Sequence, residues 1–66
     1  MRFKKDDVIE IPHDLYKYQC IVCDDDTAVF ATRLKTEYGS KVLYDDLFAV
    51  SNHEGEDGFR YEIVNG

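Results

Sequence analysis

Cys20 and Cys23 come closest, by type and spacing, to residues that could do chemistry. Cys-x-x-Cys is the spacing of zinc sites and of dithiol redox motifs. His13 and His53 could complete a Cys₂His₂ set. The intervening residues, Ile21 and Val22, argue for a strand rather than for the glycine-bearing turn of a zinc knuckle. On a strand, residues three apart point to opposite faces, with Cα atoms about 10 Å apart. The two thiols are therefore expected neither to share an ion nor to bridge, and to be buried structural cysteines. A thioredoxin-like redox role would also need an αβ context that the chain lacks.

Two oxygen-rich segments are the next candidates. Asp24-Asp25-Asp26 lacks the spaced ligands and terminal Glu of a calcium loop and reads as a solvated hairpin turn. Asn52, Glu54, Glu56 and Asp57, with two glycines among them, read as a surface loop. For covalent catalysis there are two serines, Ser40 and Ser51, and neither sits in a Gly-x-Ser-x-Gly elbow. His13 and His53 lie in polar loops beside Asp14 and Glu54. No glycine-rich phosphate loop is present. The expectation is a protein without catalytic residues, enzymatic activity, metal or cofactor.

Composition bounds the remaining classes. Sixty-six residues make one small domain, spanning 1–66, with a thin core. Five Tyr and four Phe, with no Trp, supply much of its apolar area. No apolar run approaches the roughly 20 residues that span a bilayer, and no signal-peptide segment follows the charged start. With two cysteines, that points to a cytoplasmic protein without a membrane partner. Fourteen acidic residues against eight basic give a net charge of −6, which disfavours a phosphate backbone as partner. Arg2, Lys4 and Lys5 cluster; Lys17, Arg33, Lys35, Lys41 and Arg60 are scattered along the chain.

The elements that must position these residues are strands. Val8–Ile11 is short and apolar and closed by Pro12, which cannot donate to a ladder. Tyr16–Cys23 and Ala28–Leu34 alternate with period two around the Asp24–Asp26 turn. A loop at 35–40 contains Gly39, free to take positive φ, and Lys41–Tyr44 forms the next strand. Asp45-Asp46-Leu47-Phe48-Ala49 predicts a single 3₁₀ turn capped by a carboxylate. After a polar loop at 52–58, Phe59–Val64 predicts an added edge strand.

The string Phe3-Lys4-Lys5-Asp6-Asp7-Val8-Ile9-Glu10-Ile11 resembles the turn-then-strand segment of SH3-like barrels, and the 45–49 segment resembles the 3₁₀ turn before their last strand. The resemblance spans residues 3–50 and implies an all-β barrel of five to six strands, with Phe59–Val64 beyond it. Asp6 stands where the family usually has Gly, and Asp tolerates the left-handed region. Peptide-binding SH3 domains use a tyrosine motif upstream of this turn and a Trp in the next strand. Neither is present here, so polyproline binding does not carry over.

Function then rests on surface. Tyr16, Tyr18 and Tyr38 are candidate binding rings, with Asp24, Asp25 and Asp26 as a steering rim; Tyr44 is expected to close a barrel end. The expected activity is that of a small acidic interaction module bound to a basic protein surface. The alternative is a nucleic-acid-binding barrel of the KOW or Tudor sort, using Arg2, Lys4, Lys5 and nearby rings.

Overall fold

The computed structural model describes residues 1–55 and 57–65. It is all-β. Five strands, β1 (Val8–Glu10), β2 (Lys17–Cys23), β3 (Thr27–Thr36), β4 (Gly39–Ser51) and β5 (Glu62–Ile63), form one antiparallel sheet in the order β4-β3-β2-β1-β5. None of the described residues is helical, so no helix among them is long and apolar enough to cross a membrane.

The turns follow local chemistry. Lys4–Asp7 is closed by the Asp7 amide donating to the Lys4 carbonyl at 3.1 Å, with Asp6 at φ 73° in its third position. Asp6 thus fills a position that normally calls for glycine. The same pattern recurs at Ile11–Asp14, where Pro12 presets the second position and His13 takes φ 68° in the third. The β2–β3 hairpin is an Asx turn: Asp24 Oδ1 accepts from the amides of Asp26 (2.9 Å) and Thr27 (2.8 Å). The β3–β4 hairpin turns in two residues, Glu37 and Tyr38, before Gly39 at φ 133°. Both of its strands therefore run longer than the expected Ala28–Leu34 and Lys41–Tyr44.

Four expectations are corrected here. The sheet is not closed into a barrel: β4 and β5 are open edges, and β5 has only two residues with which to pair. The 3₁₀ turn expected near 45–49 is absent, because β4 runs through it. Leu47 to Ser51 each find a partner on β3, and the ladder outcompetes a local turn. The change of direction is absorbed just before. Leu43 opposes Thr32 and Leu47 opposes Ala31, leaving Tyr44, Asp45 and Asp46 unopposed in a three-residue bulge. Tyr44 is accordingly exposed rather than closing an end. Finally, the C-terminal strand is shorter than Phe59–Val64 because Phe59 and Tyr61 turn onto the core instead of joining the ladder. It pairs within the chain, on the free edge of β1.

The core lies on one face of the sheet. Phe3, Ile9, Cys20, Ala28 and Phe30 are fully buried there. Phe3 meets Phe30 edge-on at 5.0 Å, and Phe30 stacks on Phe48 at 5.5 Å. The N-terminal residues and the 59–61 segment cover this face. One fully buried polar residue joins them to the sheet. Asn52 Oδ1 accepts from the Phe3 amide (2.7 Å), and Nδ2 donates to the Asp24 carbonyl (2.7 Å). Its own amide donates to the Asp26 carbonyl (2.9 Å), and its carbonyl accepts from the Arg2 amide (3.0 Å).

Replacing Asn52 by Ala leaves the Phe3 amide unpaired in the core and removes the side chain's bond to the Asp24 carbonyl. The expected cost is about 2–4 kcal/mol. A single core of this size rarely supplies more than about 3–5 kcal/mol. Urea unfolding followed by circular dichroism should show Asn52→Ala with most of its stability lost and its midpoint moved close to zero denaturant. A loss below about 0.5 kcal/mol, the range of ordinary surface substitutions, would refute the role given to this side chain.

Candidate interaction groove

Asp14 organises the loop between β1 and β2. Its Oδ1 accepts from the Tyr16 amide at 3.2 Å and its Oδ2 from the Tyr18 hydroxyl at 2.7 Å. These bonds hold the Asp14 carboxyl below its ordinary range, the Tyr18 hydroxyl contributing most. Burial first, and then Asp14, pushes the Tyr18 phenol up to about 12. Tyr18 is thereby committed: its ring is half-buried edge-on against Phe48 at 5.1 Å, and its hydroxyl is spent on the loop. Leu15 and Tyr16 are left facing solvent, 91% and 47% exposed.

Opposite this loop runs the 59–62 segment, and a groove of about 760 Å³ lies between the two. Ile11, Pro12, Leu15 and Tyr16 line one side, and Phe59 and Tyr61 the other. Glu10, Asp14 and Glu62 are at its border, with Lys17, Arg60 and His13. Lys17 Nζ is 3.6 Å from Glu10 Oε1, so one of its cations is already paired.

Arg2 holds the far wall. Its side chain is only 7% exposed, and its guanidinium makes a two-pronged contact with Asp57, at 2.6 and 3.0 Å. Nε donates to the Tyr61 hydroxyl at 3.2 Å. The charge sits over the rings of Phe3, Phe59 and Tyr61, at 5.4, 5.7 and 5.0 Å from their centroids. The guanidinium is held above its ordinary pKa by Asp57 and then Tyr61, and Arg2 pulls the Asp57 carboxyl down to about 2. Phe59 and Tyr61 are stacked at 5.4 Å, which gives the groove a continuous aromatic side.

The residues singled out in the sequence fall in different places. Tyr16 lines the groove and Tyr18 supports it. Tyr38, 96% exposed, stands apart at the β3–β4 tip. Asp24, Asp25 and Asp26 form the other hairpin, where Asp24 holds the turn and Asp26 meets His53 Nε2 at 2.8 Å. Of the second oxygen-rich loop, Asn52 is buried as a structural residue and Asp57 is paired with Arg2; Glu56 lies outside the described residues. Leu15, Phe59, Arg60 and Tyr61 were not singled out. The available signal was Leu15, an aliphatic residue in a polar loop with no strand to bury it.

Two further expectations are corrected. Cys20 and Cys23 do not point to opposite faces. A bulge between Cys20 and Val22 sets Cys20 opposite Phe30 and Cys23 opposite Ala28, and both of those partners face the core. The histidines do not join them: among the described residues, no three His, Cys, Asp or Glu side chains converge as metal ligands. Nor are the later basic residues all scattered in space, since Lys17, Arg33 and Lys35 line a smaller groove of about 370 Å³ beside Val8 and Ser40. Arg33 is steadied there by Gln19 Oε1 at 2.9 Å.

Compared with protein-family models, with curated proteins and with solved structures, the chain shows no significant match to any.

The Arg2–Asp57 pair makes stability depend on acid. The folded Asp57 pKa, about 2, lies below its unfolded value near 3.9. Its contribution is therefore complete above about pH 4 and is lost as pH falls through 2. Asp57→Asn should melt lower than the wild type at neutral pH, and the two curves should converge between about pH 4 and 2. Parallel curves across that window in thermal melts would show that the pair does not stabilise the fold.

Proposed function

We propose that this chain is a small, non-enzymatic interaction module of the cytoplasm that binds a basic, partly apolar protein surface in the groove between residues 11–17 and 59–62. The observation that carries this reading is an exposed apolar and aromatic wall on a rigid frame. Leu15 and Tyr16 are presented by a loop fixed by Pro12, by His13 in the left-handed region and by Asp14, and they face the Arg2-supported rings. Rigid rings offer contact area at low entropic cost. The net charge of −6 draws a cationic partner toward the molecule and repels an anionic one. We also take the sheet to be related to SH3-like barrels: the order β4-β3-β2-β1-β5 and the Asp6 turn before β1 support that kinship.

One observation favours nucleic acid instead. Lys17, Arg33 and Lys35 together offer phosphate contacts. The basic N-terminus contributes less to such a surface than its composition suggests, because Arg2 is buried against Asp57.

Amide chemical-shift mapping separates the readings. The labelled chain is titrated with a random library enriched for binding peptides, and separately with single- and double-stranded oligonucleotides. Selected peptides should be rich in Lys, Arg and aliphatic residues and should shift the amides of Leu15, Tyr16, Phe59 and Tyr61. Leu15→Ser or Tyr16→Ala should each weaken binding about tenfold, or about 1.4 kcal/mol. Asp25→Asn should alter mainly the salt dependence of association. Shifts confined to Lys17, Arg33 and Lys35 on adding an oligonucleotide, with no peptide response, would replace this reading by the nucleic-acid one.

A further inference from the structure

The bulge in β2 has a chemical consequence. Residues directly opposite in an antiparallel ladder share a face. Cys20 opposes Phe30 and Cys23 opposes Ala28, so three steps along β2 match two along β3. The two cysteines therefore occupy neighbouring positions on the core face. Two ladder steps separate Cα atoms by about 6.5–7 Å, less where a strand twists. That meets the upper end of the range that disulfides span, about 4.4–6.8 Å. Both thiols are free. Cys20 is fully buried, with Sγ 3.5 Å from the Val22 carbonyl, and Cys23 packs against the cluster that contains it while keeping partial exposure.

We propose that Cys20 and Cys23 form a reversible intrachain disulfide when a peroxide oxidises Cys23. The difference in exposure sets the order. The Cys23 thiolate attacks one peroxide oxygen, the O–O bond breaks, and a sulfenic acid forms with release of hydroxide. The Cys20 sulfur then attacks the Cys23 sulfur. The S–O bond breaks as the S–S bond forms, and the hydroxyl leaves with the Cys20 proton as water. In sum, two thiols and one hydrogen peroxide give one disulfide and two waters. A dithiol restores the starting state by exchange. Burial, and then the neighbouring Cys23, pushes the Cys20 thiol up to about 11. That keeps Cys20 from meeting peroxide first and leaves it as the resolving partner. Bond formation is independent of what docks in the groove, and it fits a compartment where disulfides are transient.

The test treats the folded full-length chain with stoichiometric hydrogen peroxide. The chain is then unfolded in the presence of N-ethylmaleimide, and its intact mass is measured. The expected product has lost two hydrogens, takes up no maleimide, runs as the same size as the untreated chain and regains both maleimides after dithiothreitol. Circular dichroism before quenching should show the fold retained. Cys20→Ser should accumulate oxygen on Cys23, and Cys23→Ser should leave Cys20 open to maleimide after the same exposure. A wild-type chain that takes up two maleimides after peroxide, adds oxygen without losing the thiol pair together, or forms covalent dimers would overturn the proposal. So would a Cys23→Ser chain that consumes peroxide as fast as the wild type.

Discussion

The fold depends on a buried amide that links three pieces of chain far apart in sequence. Asn52 bonds the start of the chain, the β2–β3 hairpin and the end of β4 to one another. An open sheet of this size leaves its inner face to be covered by something, and among the described residues the irregular N-terminal segment, Ile11 and the 59–61 segment cover it. Irregular backbone carries amides and carbonyls that no ladder satisfies. Asn offers a donor and an acceptor on one short side chain, and both are used at 2.7 Å. Leu would bury as much apolar area but would leave both partners orphaned, and Asp would place a carboxylate against the Asp24 carbonyl. With Asn52 in place, Phe3 enters the core and meets Phe30.

The groove is a consequence of that anchoring. Once residues 1–3 are fixed, Arg2 projects toward the returning chain and gathers Asp57, Phe59 and Tyr61 around its guanidinium. A planar fork matches the two carboxylate oxygens and the ring faces together, which a lysine ammonium could not do. The Arg2 positive charge, one of three at the start of the chain, is thereby consumed internally. Arg2, which reads as part of a phosphate-binding arm in sequence, sets the aromatic wall. Position, not composition, decides which of these a basic residue does.

What the sequence made legible is local. Asp6, Pro12, Asp24 and Gly39 each mark a turn through their own backbone preferences, and each turn is where those residues place it. The strands between them are legible through alternation. Two of the errors share one cause: alternation presumes a regular ladder. A single extra residue in β2 moved Cys23 to the face of Cys20, and three unopposed residues in β4 let a strand pass where a 3₁₀ turn was expected. A bulge depends on the register of the partner strand, which no window of one strand contains. The roles of Asn52 and Arg2 were hidden for the same reason, since their partners lie 49 and 55 positions away. Of the groove, one wall was visible in Tyr16; the other, Phe59 and Tyr61, read as a strand face because their spacing suits one.

The sheet also presents apolar side chains on its outer face, apart from the groove. Val22, Val29 and Ala49 oppose one another across three strands, and Leu47 follows on the same side. These are aliphatic groups, and the polar side chains that follow on the same face, Gln19 and Arg33, are bonded to each other. Single exposed aliphatic residues are ordinary on small proteins. The groove differs in kind. It is concave, its rings are held from behind by the Arg2–Asp57 ion pair, and its loop is held by His13 in the left-handed region and by a bridging carboxylate. A partner that enters it need not order the site first, so more of the contact energy remains for affinity.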